Sequence, residues 1–409
     1  MTHILVIDDE PIFHRLVGHA LEPLGCSLDT AIEGSGGIEK AHDHPPDMII
    51  CDVMMPDISG YDVTRQLRRE PAFASTPILI LTSQGEMQDR IKAFEAGADD
   101  HLAKPFNPEE LLQRVSVLLQ HAEASKTKHI RRPAGGAKAR ILAVHSLRGG
   151  AGSSSLAVNL ATSLQELWRA PTLLMDLALL AGQVALMLNT PLRRTWSDLA
   201  DSNPKDLDLE TLNSIISTSA SGLELIAAPA SPGDAEKFSC ELLAAALELA
   251  RDQYDYIVVD LPHDFSELTL QVLDEADNIL LVLTPEMAAL RAAVVSLDTY
   301  QALKYPDERV RLVLNTNFPN NAIPRAKIEE ALGCKLAIGL PYDPDLIVQA
   351  INVGQPFVLS APTNPVSGLV EDLAYYLSKD SHKKSQPANP TPALKRVYKR
   401  YADRKKKPG

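Results

Sequence analysis

The sequence predicts an α/β protein with two doubly wound parallel sheets and a disordered basic tail. In two separate series, short apolar strands alternate with amphipathic helical segments, an order typical of parallel sheets covered on both faces. A chain of 409 residues is also too long for one hydrophobic core. A basic segment, KTKHIRRPAGGAKAR at 126–140, separates the two series and predicts a linker. The predicted parts are domains at 1–121 and 139–380, a linker at 122–138 and the tail at 381–409.

The composition indicates a cytoplasmic protein. No window of about 18 apolar residues lacks a charge or a proline, and MTHILVIDDE carries no basic segment before an apolar stretch. The net charge of −13 argues against broad affinity for nucleic acid. The four cysteines show no CxxC spacing, so we expect buried apolar side chains rather than a disulfide framework or a zinc site.

The first strand-helix series places polar residues where its strands end. The strands are predicted at HILVI (3–7), DMIICDV (47–53), PILILT (77–82) and DHLAK (100–104). In parallel sheets, functional residues lie at these carboxyl ends, which here hold Asp8, Asp9, Asp52, Thr82 and Lys104. Converging carboxylates imply a bound cation such as Mg²⁺. Asp52 beside it would accept a phosphoryl group, with Thr82 and Lys104 binding its oxygens. The alternative is a set of solvated loop residues.

Residues 1–121 resemble response-regulator receiver domains in the motifs IDDE, CDVMMPDISGYD, LILTSQ and KPF. The resemblance implies that Asp8 and Asp9 hold Mg²⁺, that a histidine kinase phosphorylates Asp52, and that Thr82 is the switch hydroxyl. It also implies a cis Pro105 after Lys104, whereas His101 departs from the usual aromatic switch residue. A charged face resembles the one through which many receivers pair. It contains Lys92, Asp100, Glu110 and Arg114. A solvated face with surface ion pairs is equally consistent with these residues.

The second series contains a glycine-rich turn between a strand and a helix. About seven strands are predicted, within RILAVHSL, TLLMDLAL, GLELIAAP, YIVVDLP, NILLVLT, RVRLVLNTN and KLAIGLP. The turn, RGGAGSSS at 148–155, has the layout of a phosphate-binding loop whose backbone amides form an anion cradle. A plain strand-to-helix connection is the alternative.

The second series resembles the MinD/ParA-like deviant Walker ATPases, whose loop motif is KGGxGK[ST][ST]. Arg148 takes the place of the first lysine and Ser153 that of the second, so one positive charge is lost. Ser154 would offer a hydroxyl to Mg²⁺, and Ala178 replaces the second carboxylate of an Asp-x-Asp pattern. The resemblance makes ATP and Mg²⁺ the expected cofactors of a homodimer, but with very slow turnover or none. The nucleotide-site residues it implies are Arg148, Gly149, Gly150, Gly152, Ser153, Ser154, Ser155, Asp176, Asp260 and Asn315.

The tail combines a polar segment with a basic helical pattern. SHKKSQPANPTP has the composition of a disordered linker. After it, four apolar residues recur at helical spacing among basic ones: Leu394, Val397, Tyr398 and Tyr401. Residues 391–409 would then lie on an anionic membrane surface. A disordered basic tail is the alternative.

The domain order resembles the CpaE/TadZ group, as do MDLALLAGQVALML and PTNPVSGLVEDLAYYL. That resemblance implies a localisation or scaffold factor for a Flp/Tad-type pilus, contacting pilus assembly components at the cell pole or the inner membrane face. One alternative is an active MinD/ParA-like ATPase that cycles on membrane or DNA. Another is a two-component output regulator, but no helix-turn-helix pattern is evident, so no specific nucleic acid is expected.

Overall fold

The computed structural model describes residues 2–82, 87–127, 138–200, 202–231, 233, 238–320, 322–385 and 387–406. It divides into two compact units, which we describe separately. The first comprises Met1–Arg131 with Thr190–Arg194, and the second comprises Arg132–Asn189 with Thr195–Gly409. Most of the predicted linker, from 128 to 137, lies outside the described residues.

The first unit contains a five-stranded parallel sheet in the order β2-β1-β3-β4-β5. The four predicted strands are present, and a fifth, β2, lies at the edge of the sheet. The sequence pattern misses β2 because its residues, SLDTA, are partly polar and mostly half-buried. The elements are β1 (His3–Ile7), α1 (Pro11–Leu21), β2 (Ser27–Ala31), α2 (Gly34–Asp43), β3 (Met48–Asp52), α3 (Gly60–Arg69), β4 (Ile78–Thr82), α4 (Met87–Glu95), β5 (Asp100–Ala103) and α5 (Pro108–Thr127).

The central strands of this sheet are buried on both faces. Every residue of β3 and β4 is buried, as continuous apolar runs require in a sheet covered by helices. Alternate side chains enter two separate cores. Ile4 and Ile50 belong to one core with Leu111 of α5, while Leu5 and Ile49 belong to the other with Leu67 of α3. The polar residues of these central strands are therefore confined to the strand ends.

The second unit contains an eight-stranded sheet in the order β13-β12-β11-β6-β10-β7-β9-β8, parallel except for the β8–β9 pair. All seven predicted strands are present, and the additional strand, β8, has only two residues. The strands are β6 (Arg140–His145), β7 (Thr172–Asp176), β8 (Ser217–Thr218), β9 (Glu224–Ile226), β10 (Tyr256–Asp260), β11 (Asn278–Leu283), β12 (Val310–Asn315) and β13 (Leu336–Leu340). These two sheets confirm the predicted fold class.

Helices cover the second sheet on both faces. The strand β6 lies at its centre, between β10 and β11, so the glycine-rich turn that follows β6 lies at mid-sheet. The helices are α6 (Ser153–Trp168), α7 (Val184–Met187), α8 (Leu209–Ser214), α9 (Cys240–Gln253), α10 (Glu267–Glu275), α11 (Met287–Ala302), α12 (Arg325–Leu332), α13 (Pro344–Val353), α14 (Phe357–Ser360), α15 (Pro365–Leu377), α16 (Asp380–Ser385) and α17 (Pro392–Lys406).

The prediction of a disordered tail is wrong for the residues that the structure describes. The final helix, α17, packs on α6 and α15, with Leu394 and Val397 fully buried. Its arginines form ion pairs with two buried carboxylates of α15, Glu371 and Asp372. These are Arg396 and Arg400 to Glu371, and Arg400 and Arg404 to Asp372. The apolar stripe that could otherwise meet a membrane is therefore already covered by the domain.

No helix among the described residues is both long enough and apolar enough to cross a bilayer. The cysteines Cys26, Cys51, Cys240 and Cys334 are free, and Cys51 alone is fully buried.

Candidate functional site

An acidic cluster lies at the carboxyl edge of the first sheet. Asp8 follows β1 and Asp52 ends β3, and these strands are neighbours, with Ile7 paired to Cys51. Carboxylate oxygens of Asp8, Asp9 and Asp52 lie within 4.8 Å of one another. Asp8 and Asp52 are buried, whereas Asp9 is exposed. The structure thus brings together the three carboxylates that the sequence singles out.

Lys104 lies against this cluster. Its Nζ is 2.7 Å from Asp8 Oδ2 and 2.9 Å from Asp52 Oδ1, and it lies 3.9 Å from the centroid of the Phe13 ring. Burial alone would lower the pKa of Lys104, but its bonds to Asp8 and Asp52 raise it overall. Burial raises the pKa of Asp52, although Lys104 opposes that shift. The ammonium group therefore partly compensates two buried carboxylates.

The neighbouring strand ends complete this edge. Thr82 ends β4 and is buried, and the backbone amide of Lys104 donates to its carbonyl oxygen at 2.6 Å. The Lys104–Pro105 peptide is cis, as the resemblance implies. His101 lies on β5 and is half-buried. Asp52, Thr82 and Lys104 thus lie at the carboxyl ends of three adjacent strands of the sheet.

Gly60 is a residue of this site that the sequence reasoning missed. A Cβ atom there would lie 2.1 Å from the backbone oxygen of Asp52, so a side chain would push the loop away from the end of β3. The Gly60 amide also donates to the Val53 carbonyl at 3.1 Å. The signal was present in CDVMMPDISGYD, where glycine is the first residue of the α3 pattern.

The donor set fits Mg²⁺. Its ligands would be carboxylate oxygens of Asp8, Asp9 and Asp52, the hard oxygen donors that this ion prefers. Bound there, the ion would offset the negative charge of an incoming phosphoryl group.

The glycine-rich turn joins β6 to α6 in the second unit. Gly150 and Gly152 have φ values of 77° and 92°, a left-handed backbone that glycine adopts without strain. A Cβ at Gly152 would lie 2.5 Å from Nδ2 of Asn315, which donates to the Ala151 carbonyl at 2.9 Å. Asn315 therefore braces the loop here.

The charged groups expected around this loop are arranged differently from a complete nucleotide site. Arg148 is half-exposed, and its Nε lies 2.5 Å from Glu286 Oε1. Ser153 is buried, and its Oγ has no hydrogen-bond partner among the described residues. Gly149 lies beside His263, whose Nδ1 is 2.7 Å from the Ser146 carbonyl oxygen. No ammonium group stands at position 153, where the motif has its second lysine.

Two buried carboxylates lie on adjacent strands at the same edge of the second sheet. Asp176 ends β7 and Asp260 ends β10, and the two residues pair in register. Asp176 accepts hydrogen bonds from the Ala178 and Val184 amides, each at 3.1 Å. No hydrogen bond of ordinary geometry reaches Asp260 from the described residues. Burial raises the pKa of both groups, and the charge of Asp176 raises that of Asp260 further, while the Ser154 hydroxyl opposes the shift.

A cavity of about 880 Å³ opens beside the loop. Gly150, Gly152 and Ser153–Ser155 line one end, and most of the remaining wall is apolar. None of its lining residues is a lysine or an arginine. The amides and the Ser154 hydroxyl fit a nucleotide phosphate with Mg²⁺, but Ser153 and Ala178 do not supply the charges that transfer of a γ-phosphate requires. The sequence reasoning found the loop but not this apolar wall.

Two family models match parts of the chain. Residues 4–116 match the response regulator receiver domain, and residues 139–304 match the cellulose biosynthesis protein BcsQ.

Curated relatives match over part of their length. The chain is 42% identical over 123 residues to the DNA-binding dual master transcriptional regulator RpaA of Synechocystis, covering 30% of this chain and 51% of that protein. It is 43% identical over 121 residues to the transcriptional regulatory protein ResD of Bacillus subtilis, covering 30% of this chain and 49% of that protein. The chain thus spans about half the length of these curated relatives.

Solved structures resemble the larger part of the chain. A ParA family ATPase from Chlorobium tepidum has a TM-score of 0.55 and 25% identity, covering 59% of this chain and 100% of that one. The septum site-determining protein MinD of Pyrococcus horikoshii, solved with Mg-ADP, has a TM-score of 0.53 and 20% identity, covering 61% and 100%. The MinD likeness concerns the fold alone. The chain therefore consists of a response-regulator receiver domain joined to a domain with the ParA/MinD ATPase fold.

Proposed function

We propose that this chain is a localisation or scaffold factor for assembly of a Flp/Tad-type pilus, regulated by phosphorylation of its receiver domain. The observation that carries the regulatory part is the cluster of Asp8, Asp9 and Asp52 closed by Lys104. The pilus role is supported by the resemblance of the domain order to the CpaE/TadZ group. The protein would act in the cytoplasm, at the cell pole or the inner face of the membrane.

Asp52 is the proposed phosphoacceptor. Its carboxylate oxygen would attack the phosphorus of a kinase phosphohistidine, so that a P–O bond forms while the P–N bond breaks and its electrons leave with the imidazole. Lys104 already contacts Asp52 and would bind an oxygen of the new phosphoryl group, and Thr82 would bind another. Asp8 and Asp9 would hold the Mg²⁺.

The second domain is proposed to keep an interface role with little or no ATP turnover. Ser153 cannot replace an ammonium group beside the γ-phosphate, and Ala178 cannot replace a carboxylate. Loss of one such polar contact typically costs about 10² to 10³ in rate. The loop amides, Ser154 and Asp260 would still support weak binding of a nucleotide with Mg²⁺.

A homodimer would use the face that carries Arg148. Arg148 stands where the motif has the lysine that reaches a second subunit, and its guanidinium is half-exposed. To reach a partner subunit it would exchange its contact with Glu286 for one across the interface. Such an exchange costs little, because exposed ion pairs contribute roughly 0 to 1 kcal/mol.

The decisive test is genetic. The gene is deleted in the source organism and replaced by wild type, Asp52→Asn or Asp62→Asn, and surface pili and the position of a fluorescent fusion are scored. Asp62 lies in the same sequence motif and its side chain is half-exposed, so this variant controls for nonspecific damage. We expect the deletion to abolish pili. We expect Asp52→Asn, but not Asp62→Asn, to alter the number or position of the pili. Normal piliation of the deletion strain would refute the pilus role.

Steady-state phosphate release distinguishes the proposal from an active MinD/ParA-like cycle. Wild-type protein should hydrolyse ATP no faster than Asp260→Ala with Mg²⁺ present. Mg²⁺-dependent release well above that control would favour the cycling ATPase and would show that another group replaces the lost lysine.

A second candidate is a factor accompanying cellulose production, which is favoured by the BcsQ model matched over residues 139–304. The same deletion strain separates the two candidates. Loss of cellulase-sensitive matrix with normal pili would support the cellulose role, whereas loss of pili with normal matrix would support the pilus role.

A further inference from the structure

We infer that the 880 Å³ cavity of the second unit binds an amphiphile with an apolar body and one acidic head group. The inference deepens the proposed loss of ATP turnover, because it names the class of ligand that the altered site would take instead. It does not depend on the receiver domain or on the pilus role.

The head group would lie at the loop end of the cavity. The helix α6 starts there and is 16 residues long, so its first amides and its dipole present roughly half a positive charge. Ser153 lines this end, and its buried Oγ lacks a hydrogen-bond partner among the described residues. A single acidic group would satisfy both the hydroxyl and the amides.

The charges around the cavity limit the head to a low charge. The lining contains no lysine or arginine, but it does include Asp264 and Asp343. Behind the loop, Asp176 and Asp260 are buried without a cationic partner among the described residues. A triphosphate would add several negative charges to this environment, and uncompensated buried charge is costly.

The remaining wall fits an apolar body. Its apolar side chains include Leu179, Leu268, Ile347, Ile351 and Phe357. At the mouth, Leu180 is 71% exposed and Val348 is 54% exposed, and a bound ligand would remove both from water. The volume lies within the usual range of roughly 300 to 1,000 Å³ for small-molecule sites.

The helix α13 offers a matched pair of variants. Val348 lines the cavity, whereas Val353 of the same helix does not, and the two are 54% and 53% exposed. The full-length protein is titrated with 1-anilinonaphthalene-8-sulfonate, an aromatic body with one sulfonate, and fluorescence is recorded. We expect Val348→Asp to weaken binding by at least about tenfold, because a carboxylate would face the apolar body, and Val353→Asp to leave it unchanged.

Competition then tests the head-group charge. Dodecanoate, which has one carboxylate, should displace the fluorescent probe at lower concentrations than Mg-ATP does. Equal effects of the two valine variants, or displacement by Mg-ATP at lower concentrations than dodecanoate, would overturn the inference. The assay is an equilibrium measurement without turnover. A protein that hydrolyses no ATP yet fails this test would therefore leave the proposed function standing while this inference falls.

Discussion

Both units place two buried carboxylates on neighbouring parallel strands, but their surroundings differ. In the first unit, Asp8 and Asp52 share the ammonium group of Lys104 at 2.7 and 2.9 Å. In the second, Asp176 and Asp260 pair in register with no cation among the described residues in contact with them. Asp176 is held by two backbone amides, whereas Asp260 has no such bond.

The difference shows what one basic side chain contributes to such a site. A carboxylate removed from water is tolerated when a cation or several hydrogen-bond donors replace the water. Lys104 does this in the receiver domain. In the second unit, Asp176 has a structural role because it accepts hydrogen bonds from backbone amides after β7. The buried carboxylate of Asp260 has neither a cation nor a backbone amide to replace its water among the described residues. Removal of the Lys104 charge should therefore destabilise the first unit, whereas removal of the Asp260 charge should stabilise the second.

The largest expected effect is loss of phosphorylation in Asp52→Asn. The amide has no nucleophilic carboxylate oxygen, so incubation with acetyl phosphate and Mg²⁺ should add no phosphoryl group. Intact-mass spectrometry of the full chain measures the product, with Asp62→Asn as the control. If Asp52→Asn is modified as fully as wild type, the phosphoacceptor lies elsewhere.

Next in size is destabilisation of the first unit by Lys104→Met. Removing the ammonium would leave two buried carboxylates without their cation, a change that typically costs about 3 to 5 kcal/mol. Hydrogen exchange of peptides from 1–121, with EDTA present, reports the loss, and the exposed Lys92→Met serves as control. Unchanged protection in Lys104→Met would mean that the ion pairs contribute little.

Ser153→Lys should give the second site a basic side chain, as Lys104 does in the first. A charged hydrogen bond contributes about 1.5 to 3 kcal/mol, so we expect affinity for Mg-ATP to rise roughly tenfold to a hundredfold. Turnover should not follow, because Ala178 is unchanged. Ser155→Lys adds the same charge within the same loop and serves as the control. If calorimetry shows an equal gain in Mg-ATP affinity for the two variants, the gain is due to net charge and not to the position of the lysine.

The smallest effect, and one of opposite sign to that of Lys104→Met, is stabilisation of the second unit by Asp260→Asn. In the folded state the pKa of the Asp260 carboxyl group is raised. Ionisation of Asp260 therefore destabilises the fold as the pH rises from the ordinary pKa of the group through its raised pKa. We expect the variant to unfold at higher urea than wild type at pH 8, by about 1 to 3 kcal/mol, with a smaller difference at pH 5.

Tryptophan fluorescence measures that change selectively. The two tryptophans of the chain, Trp168 and Trp196, both belong to the second unit. The exposed Asp345→Asn controls for the loss of one charge. A pH profile in which Asp260→Asn parallels wild type throughout would show that Asp260 is already neutralised by another group.

The sequence predicted the strands and the acidic cluster because both follow from local rules. Apolar runs marked β3, β4 and β10, and parallel topology required that the residues after adjacent strands meet at one edge. β2 and β8 were missed because SLDTA is partly polar and β8 is only two residues long.

Contacts between distant segments could not be read from local patterns. The bond from Asn315 to Ala151 and the ion pair from Arg148 to Glu286 each join segments more than a hundred residues apart. For α17, helical periodicity indicated an apolar face without saying what would cover it. A helix that packs on a protein core and a helix that lies on a membrane show the same sequence periodicity. In the structure, the apolar face of α17 packs on α6 and α15.

The packing of α17 also constrains synthesis of the chain. The Thr391 hydroxyl donates to the Leu167 carbonyl across 224 positions, and Leu394 and Val397 complete the same layer. At ribosomal rates of 5 to 20 residues per second, α6 would wait roughly 10 to 45 s for that cover. During this interval the nascent domain would expose an apolar helix face, which is the kind of surface that chaperones shield until translation supplies its partner.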